Sequence, residues 1–335
     1  MSADGAKVTV MGAGSWGTAF ALVAADAGSQ VTLWARRPEL AEQINNSHRN
    51  TDYFPDLDLP AGIRAVADPA EAMAGADVVV LAVPSQTLRR NLADWRIDPD
   101  VILVSLAKGI EEGTGLRMSE LITAATGHDP DRLAVVSGPN LAREIVERQP
   151  AATVVASASE ATAIMVQRAC HTRNFRAYTN TDIVGTELGG AAKNVIALAV
   201  GAGIGLGYGN NAMASVITRG LAEITRLGIE LGAQEHTFAG LAGMGDLVAT
   251  CMSPLSRNRT FGEQLAKGRS VADIVATTRQ VAEGVRTCES LVALADRHGV
   301  DMPISYGVAQ VIAGQATPEQ MISALLARQA KPERT

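Results

Sequence analysis

The first half of the chain alternates short runs of aliphatic and β-branched residues with helix-like stretches. The runs near Val78, Val101 and Val135 are apolar throughout, which is typical of strands covered on both faces. Strand–helix alternation over this length predicts a doubly wound, mainly parallel sheet. The predicted strands are KVTVM at Lys7, QVTLW at Gln30, ADVVVLAV at Ala76, VILVSLA at Val101, LAVVSG at Leu133, ATVVAS at Ala152 and NFRAYTN at Asn174.

After about Asp182 the strand pattern stops, and helical patterns with glycine or proline stops replace it. We therefore predict an α/β protein with a Rossmann-type dinucleotide-binding domain over residues 1–185 and an all-helical substrate-binding domain over residues 186–335. The predicted helices are LGGAAKNVIALAV at Leu188, MASVITRGLAEITRLG at Met213, FGEQLAKG at Phe261, VADIVATTRQVAEG at Val271, CESLVALADRHG at Cys288 and PEQMISALLARQ at Pro318.

Composition excludes several classes of protein. Of the 335 residues, 47% are hydrophobic and 19% charged, which is typical of a globular protein, and the net charge of −6 argues against a nucleic-acid binder. Three widely spaced cysteines suggest neither a disulfide framework nor a zinc site, and no histidine has a partner at metal-ligand spacing. The N-terminus lacks the pattern of a signal peptide, and the longest apolar stretch is too short to span a bilayer. We expect a cytoplasmic protein without metal or membrane insertion.

A glycine-rich turn follows the first predicted strand. Gly12, Gly14 and Gly17 have the spacing G-x-G-x-x-G, and Ser15 and Trp16 begin the next helix. Backbone N–H groups at such a helix start face the pyrophosphate of a dinucleotide. The alternative is merely a tight turn, but a strand before the glycines and a helix after them favour nucleotide binding.

The end of the second strand departs from the NAD fingerprint. That fingerprint has an acidic residue about twenty positions after the glycines, which holds the ribose hydroxyls. Arg36 and Arg37 stand there instead. Two arginines at this place favour the 2′-phosphate of NADP, so we expect NADPH with NADH still possible. The alternative is that both are solvated surface charges.

Two lysines stand out from their surroundings. Lys108 follows the C-terminal end of a strand, where ligands bind in open α/β sheets. The stretch SGPNLAREI at Ser137 is a second turn of this kind, and either turn could be an ordinary strand-to-helix loop. Lys193 and Asn194 lie in an otherwise apolar helix, from which lysine is normally excluded. The small residues around Lys193 favour a functional role.

The stretch GLAGMGDLVATCMSPLSRNRTFG, over residues 240–262, contains several candidate functional residues. Asp246 is predicted in a glycine-bordered turn, and Cys251 in a loop with a packing role. The group SRNR at Ser256 combines hydroxyl, guanidinium and amide donors, which suits a phosphate because arginine binds phosphate oxygens bidentately. The alternative is a helix cap followed by a surface arginine.

Together these stretches resemble the bacterial-type NAD(P)-dependent glycerol-3-phosphate dehydrogenases. GAGSWGTA, VPSQ, LAKGIE, SGPNLARE, AAKNV, GLAGMGDL, SRNRTFG and VAEGV occur in the family's order and span residues 8–285. The resemblance implies reversible reduction of dihydroxyacetone phosphate to sn-glycerol 3-phosphate with NADPH or NADH, for glycerophospholipid synthesis. It also implies a homodimer packed through helices.

The resemblance assigns roles to individual residues. Lys193 would be the proton donor and acceptor, Lys108 would polarise the carbonyl or anchor the substrate, and Asp246 would orient the amine. Besides the three glycines, cofactor contacts would be Ser15, Trp16, Arg36, Arg37, Tyr53, Lys108, Ala142, Arg257, Val281 and Glu283. Substrate contacts would be Lys108, Gly138, Asn140, Lys193, Asp246, Ser256, Arg257 and Asn258. The chain departs from the family at Phe54, where the family has leucine, and at Asn140, where it often has serine or threonine.

Two other functions stay open at this point. One is a related β-hydroxyacid dehydrogenase of the same architecture that acts on a carboxylate or a sugar acid. The other is a non-enzymatic NADP-binding sensor on the same fold, since a fold alone does not fix function.

Overall fold

A single sheet organises the first part of the chain. The structure is a computed structural model that describes residues 5–277, 283–329 and 332. The strands are β1 Lys7–Met11, β2 Gln30–Trp34, β3 Ile63–Val66, β4 Val78–Leu81, β5 Ile102–Ser105, β6 Leu133–Ser137, β7 Ala151–Ala156 and β8 Phe175–Asn180. Their order is β3-β2-β1-β4-β5-β6-β7-β8, and all neighbouring pairs are parallel except β6 and β7. The predicted doubly wound, mainly parallel sheet is confirmed.

Helices cover both faces of the sheet and form the second part of the chain. They are α1 Ser15–Asp26, α2 Pro38–Ser47, α3 Pro69–Met73, α4 Leu88–Asp94, α5 Met118–Thr126, α6 Ala142–Val146, α7 Glu160–Cys170, α8 Ile183–Gly205, α9 Asn210–Glu230, α10 Glu235–Ala239, α11 Asp246–Met252, α12 Arg257–Ala266, α13 Val271–Thr277, α14 Glu283–Arg297, α15 Pro303–Ile312 and α16 Pro318–Leu326. From Ile183 onward the described residues contain no strand, so the predicted helical domain is also confirmed. The predicted boundary between the two domains, after residue 185 in the first turn of α8, stays a prediction.

The central strands are apolar because both faces of the sheet are covered. Val78 and Val80 of β4 pack into the core that contains α1, whereas Val79 and Leu81 pack into the core that contains α4 and α5. A strand with two buried faces needs a continuous apolar run, which explains why the sequence pattern identified it. β3 was not predicted because the exposed Arg64 interrupts its apolar run, whereas the equally short β4 and β5 are buried throughout.

α8 is the central helix of the helical domain and is almost entirely buried from Gly185 to Gly203. It packs against α9, α11, α12 and α14. The expectation that no apolar stretch is long enough to cross a membrane was wrong for α8, which has that length and composition, but 89% of its most apolar window is buried inside the protein. Its apolar sequence is therefore accounted for by its place in the core.

Two glycines bring the backbones of α8 and α12 into direct contact. A Cβ atom at Gly201 would overlap the carbonyl oxygen of Arg259, and one at Gly262 would overlap the carbonyl oxygen of Leu198. Any larger residue would push the helices apart, which is a strained and costly change in a packed interior. The start of α12 is thus held in a fixed position against the middle of α8.

A buried carboxylate joins α8 to the sheet domain. Glu187 accepts hydrogen bonds from the backbone N–H of Ser119 at 2.7 Å, the Ser119 hydroxyl at 2.6 Å and Arg117 Nη1 at 2.5 Å. Burial raises the pKa of Glu187, while Arg117 and Ser119 lower it. Glu187 therefore fixes the first turns of α8 against the start of α5.

The sequence prediction was wrong around Asp246. Leu241–Gly245 forms a π-helical turn, closed by a 3.1 Å bond from the N–H of Gly245 to the carbonyl of Gly240, and Asp246 then begins α11. Glycines were taken as turn signals, but here they allow close packing: a Cβ at Gly243 would overlap Phe238. Cys251 consequently lies in a helix, although it is buried as expected.

The helix predicted from Val271 is confirmed over Val271–Thr277 as α13, and its predicted continuation through residues 278–282 lies outside the described part of the chain. α15 was not predicted.

Candidate active site

The glycine-rich turn leaves an uncapped helix start between β1 and α1. Gly12 has φ +136°, and a Cβ there would lie 2.6 Å from the carbonyl oxygen of Ala82, so only glycine suits this position. Gly14 supplies no side-chain cap to α1, and the first turn contains no acidic residue. Backbone N–H groups around Ser15 are therefore oriented toward a site for negative charge.

Trp16 adds a second feature to this turn. It is half-buried, packs edge-on against Phe20, and its indole N–H has no partner among the described residues. Gly17 packs against the carbonyl of Gly12, where a Cβ would overlap it. These residues fit the pyrophosphate of a dinucleotide.

The end of β2 carries charge that faces solvent. Arg36 and Arg37 are both exposed, and Arg37 forms an ion pair with Asp52. Asp52 belongs to the loop between α2 and β3, which also carries the half-buried Tyr53. The loop thus lies beside the glycine-rich turn and brings Tyr53 there. It also brings the carboxylate of Asp52, which the sequence analysis did not identify.

A cluster of two lysines and one aspartate lies at the carboxyl edge of the sheet, where it meets the helical domain. Lys108 follows β5, Lys193 lies in the middle of α8, and Asp246 begins α11. Lys108 Nζ donates to Asp246 Oδ2 at 2.8 Å, while Lys193 Nζ donates to Asp246 Oδ1. One buried carboxylate therefore binds both ammonium groups.

Each lysine has a further hydrogen-bond partner. Lys108 Nζ donates to the carbonyl of Gly138 at 3.0 Å, and Lys193 Nζ donates to Thr250 Oγ1 at 2.7 Å. Thr250 lies one helical turn after Asp246 on α11. Sequence analysis missed Thr250, because its relation to Asp246 depends on a helix that was predicted as a turn.

The environment of Lys193 changes its protonation. Burial lowers the pKa of Lys193 to about 8; the charge of Asp246 raises this pKa, and that of Lys108 lowers it further. Removal of an ammonium group from water disfavours its charged form, and here the desolvation outweighs the ion pair. Lys193 can therefore give up and recover a proton near neutral pH.

The turn after β6 forms one wall of the cluster. Gly138 has φ +148°, a conformation that favours glycine. Asn140 donates from Nδ2 to Thr153 Oγ1 at 2.9 Å, while its Oδ1 is buried and has no partner among the described residues. Ala142, the first residue of α6, is half-buried just beyond this wall.

The start of α12 forms the opposite wall. Ser256 caps this helix, because its Oγ accepts from the N–H of Arg259 at 3.3 Å. Arg257 is exposed in the first turn, and Asn258 is buried. Asn258 Nδ2 donates to Asn194 Oδ1 at 2.9 Å, so the side chains of Asn258 and Ser256 both make bonds within the protein.

α14 reaches the same region. Its first residue, Glu283, is half-buried and accepts from the backbone N–H of Ser85, which follows β4. Burial raises the pKa of Glu283, while Arg257, the N–H of Ser85 and Lys108 lower it. Val281 lies outside the described residues. Across the described ranges, no group of three or more His, Cys, Asp or Glu side chains could hold a metal ion.

Comparisons with known proteins identify the family of the chain. The family model for the NAD-dependent glycerol-3-phosphate dehydrogenase N-terminus matches residues 7–163, and the model for the C-terminus matches residues 182–323. A protein from Streptomyces griseus named glycerol-3-phosphate dehydrogenase, NAD(P)+, is 58% identical over 330 residues, which is 98% of each chain.

A solved structure of glycerol-3-phosphate dehydrogenase from Coxiella burnetii is 34% identical with a TM-score of 0.92, and the match covers 97% of this chain and 99% of that one. The chain belongs to the NAD-dependent glycerol-3-phosphate dehydrogenase family. The resemblance inferred from the ordered motifs is thereby confirmed, as is an enzyme that uses NAD or NADP.

Within this glycerol-3-phosphate dehydrogenase fold, the residues predicted for the site form two groups. Lys108, Lys193 and Asp246 are in direct contact, and Gly138 contacts Lys108. The other predicted cofactor residues in the glycine-rich turn, at the end of β2 and in the loop between α2 and β3 lie apart from the cluster. The predicted residues that border the cluster are Asn140 in the turn after β6, Ala142 of α6, Ser256, Arg257 and Asn258 at the start of α12, and Glu283 of α14, whereas Val281 lies outside the described residues.

Proposed function

We propose that this protein is an sn-glycerol-3-phosphate dehydrogenase that reversibly reduces dihydroxyacetone phosphate with NADPH or NADH. The observation that carries the proposal is the buried cluster of Lys193, Asp246 and Lys108 between the two domains. A ketone reductase needs one proton donor at the carbonyl and one site for the substrate's charge. The cluster supplies the first, and the start of α12 supplies the second.

Lys193 is the proposed acid and base. The nicotinamide, when bound, supplies the hydride to C2 of the substrate. Lys193 Nζ gives a proton to the oxygen on C2 during reduction, and it removes that proton in the reverse direction. A pKa of about 8 suits both tasks, because general acid–base catalysis works best when the pKa lies near the working pH.

Asp246 and Lys108 set the position and charge of Lys193. Asp246 holds both nitrogens through its two oxygens, so the amine of Lys193 is oriented before the substrate binds. Lys108 is only partly buried, with 15% of its side chain exposed. It is thus more accessible than Lys193, with 8% exposed, and we assign to its ammonium the polarisation of the carbonyl oxygen.

The phosphate is assigned to the first turn of α12. Arg257 is exposed there, and the ten-residue helix directs its N-terminus to the same place. A guanidinium and a helix N-terminus both favour a phosphate dianion. Asn258 is already bonded to Asn194 and to the N–H of Gly284 at 3.0 Å, so it would contact the phosphate only from the wall of the site.

We further infer a homodimer packed through the helical domain and a cytoplasmic enzyme that supplies glycerophospholipid synthesis. Cys170, Cys251 and Cys288 are all free and buried, which is typical of proteins in a reducing compartment. The dimer rests on the family resemblance, and sedimentation equilibrium would test it.

The deciding experiment follows NADPH and NADH oxidation in parallel with dihydroxyacetone phosphate as substrate. We expect turnover with at least one cofactor and much slower reaction with 3-oxo acids, which are the ketone forms of β-hydroxyacids. Faster reaction with a 3-oxo acid would favour the β-hydroxyacid dehydrogenase alternative. Tight dinucleotide binding without any turnover would favour a sensor.

A further inference from the structure

The loop between α2 and β3 lies against the glycine-rich turn. Asn50, in this loop, is fully buried, and its Nδ2 donates to the carbonyl of Ala13 at 3.0 Å and to Thr18 Oγ1 at 2.8 Å. Ala13 belongs to the glycine-rich turn and Thr18 to the first turns of α1. The position of the loop is therefore fixed relative to the place where the dinucleotide binds.

The same loop is held at a second point. Asp56 forms a bidentate ion pair with Arg143 of α6, at 2.7 and 2.5 Å. Arg143 lowers the pKa of Asp56 to about 2, so this pair is charged at neutral pH. Asp52 lies between Asn50 and Asp56, so the segment that carries it is attached to the rest of the domain on both sides.

Asp52 brings a carboxylate to the end of β2. It forms an ion pair with Arg37, and 37% of its side chain is exposed, against 56% for Arg37. Arg36 has no ion-pair partner within the described ranges of the chain. In NAD-binding Rossmann folds a carboxylate at the end of this strand accepts the ribose hydroxyls. Here such a carboxylate comes from the loop instead of from the strand itself.

We propose that Asp52 sets the preference between NADH and NADPH by competing with the 2′-phosphate for Arg37. This inference rests on the proposed function, since it concerns the same cofactor site. A 2′-phosphate is a dianion that arginine binds bidentately, and it must displace Asp52 from Arg37 or lie beside an uncompensated carboxylate. An unphosphorylated ribose needs no arginine and uses the carboxylate as an acceptor.

The test replaces Asp52 with asparagine, which keeps its size and removes its charge. Calorimetry then measures the Kd of adenosine 2′,5′-bisphosphate and of adenosine 5′-monophosphate. We expect the bisphosphate to bind about twofold to fivefold more tightly, the size expected of one exposed charge. The monophosphate should bind equally well or more weakly. The kcat/KM ratio of NADPH to NADH should rise by the same factor.

Asp58→Asn is the matched control. Asp58 lies in the same loop, also pairs with an arginine, Arg49, at 2.5 Å, and its replacement changes the net charge equally. It should leave the ratio of the two affinities unchanged. In an Arg37→Ala background the gain from Asp52→Asn should be smaller, because no arginine is then released and only the direct repulsion between the carboxylate and the 2′-phosphate is relieved.

The proposal is overturned if Asp52→Asn changes the Kd of both nucleotides by the same factor. It is also overturned if Asp58→Asn shifts the ratio of the two affinities as much as Asp52→Asn does. An undiminished gain without Arg37 would equally contradict the competition. Binding of the two adenosine nucleotides does not depend on turnover. A chain that binds them with the expected ratio but fails to reduce dihydroxyacetone phosphate would contradict only the proposed function.

Discussion

Lys193 donates a hydrogen bond to Asp246, and both side chains are buried, with 8% and 1% of their surfaces exposed. A lysine at such a position normally loses its charge unless a carboxylate compensates it. Asp246 also accepts a hydrogen bond from Lys108, so its one negative charge has to balance two ammonium groups. The protein thereby keeps Lys193 close to its point of ionisation instead of fully charged.

Replacement of Lys193 by methionine removes the proton but keeps the length of the side chain. We expect kcat to fall by ~10²–10⁴, the usual contribution of a general acid or base. Dinucleotide binding and the circular dichroism spectrum should stay unchanged. Lys267→Met, at an exposed position, is the control and should keep normal kcat. Near-normal kcat in Lys193→Met would shift the assignment to Lys108.

The pH dependence should differ between the two directions. Reduction requires Lys193 to be protonated, so its rate should fall above pH 8, by about tenfold per unit once the group is mostly neutral. Oxidation requires the neutral amine, so its rate should rise through the same pH and then level off. Initial rates from pH 6 to 10 in both directions would measure this.

Thr250 gives a check on that assignment. Its hydroxyl accepts a hydrogen bond from Lys193, which favours the charged amine. Thr250→Val removes this acceptor, so the pKa should fall and the alkaline decline of the reductive rate should begin at lower pH. A profile that does not move would mean that another group controls it.

Arg257→Ala tests the phosphate assignment. We expect the KM for dihydroxyacetone phosphate to rise at least ~10-fold, since a hydrogen bond to a charged group contributes about 1.5–3 kcal/mol. At saturating cofactor, unphosphorylated dihydroxyacetone, a much poorer substrate, should react equally well with the variant and the parent enzyme. If kcat/KM falls by the same factor for both substrates, Arg257 does not bind the phosphate.

Glu187→Gln should weaken the junction between the domains. The change leaves Arg117 partly buried beside a neutral amide, and loss of one member of a buried ion pair costs about 3 kcal/mol. Urea unfolding would measure the loss. Glu120→Gln removes the other, more exposed partner of the same arginine and should cost less than about 1 kcal/mol. Equal losses for the two variants would contradict a special role for Glu187.

Features coded by local pattern were predictable from the sequence, and features made by distant contacts were not. The apolar run at Val78 and the lysine inside the apolar helix at Lys193 can be read from short windows. The pairing of Asp52 with Arg37 depends on how a loop returns to the sheet. The place of Asp246 depends on a π-helical turn whose glycines pack against other elements, so local propensity suggested the wrong conformation.

The backbone contacts at Gly201 and Gly262 have a consequence for substrate choice. α8 carries Lys193, and α12 begins at Arg257. A glycine of each helix packs directly against a backbone carbonyl of the other, so the two helices cannot easily slide or separate. Lys193 is the proposed proton donor at the ketone, and Arg257 is the proposed phosphate-binding residue. The packed pair of α8 and α12 therefore holds both ends of the substrate as one rigid body. Movement of the nucleotide-binding domain leaves the spacing between them unchanged. Substrates should therefore be selected by the number of bonds between the ketone carbon and the phosphorus, so that a homologue longer by one methylene fits poorly with either cofactor.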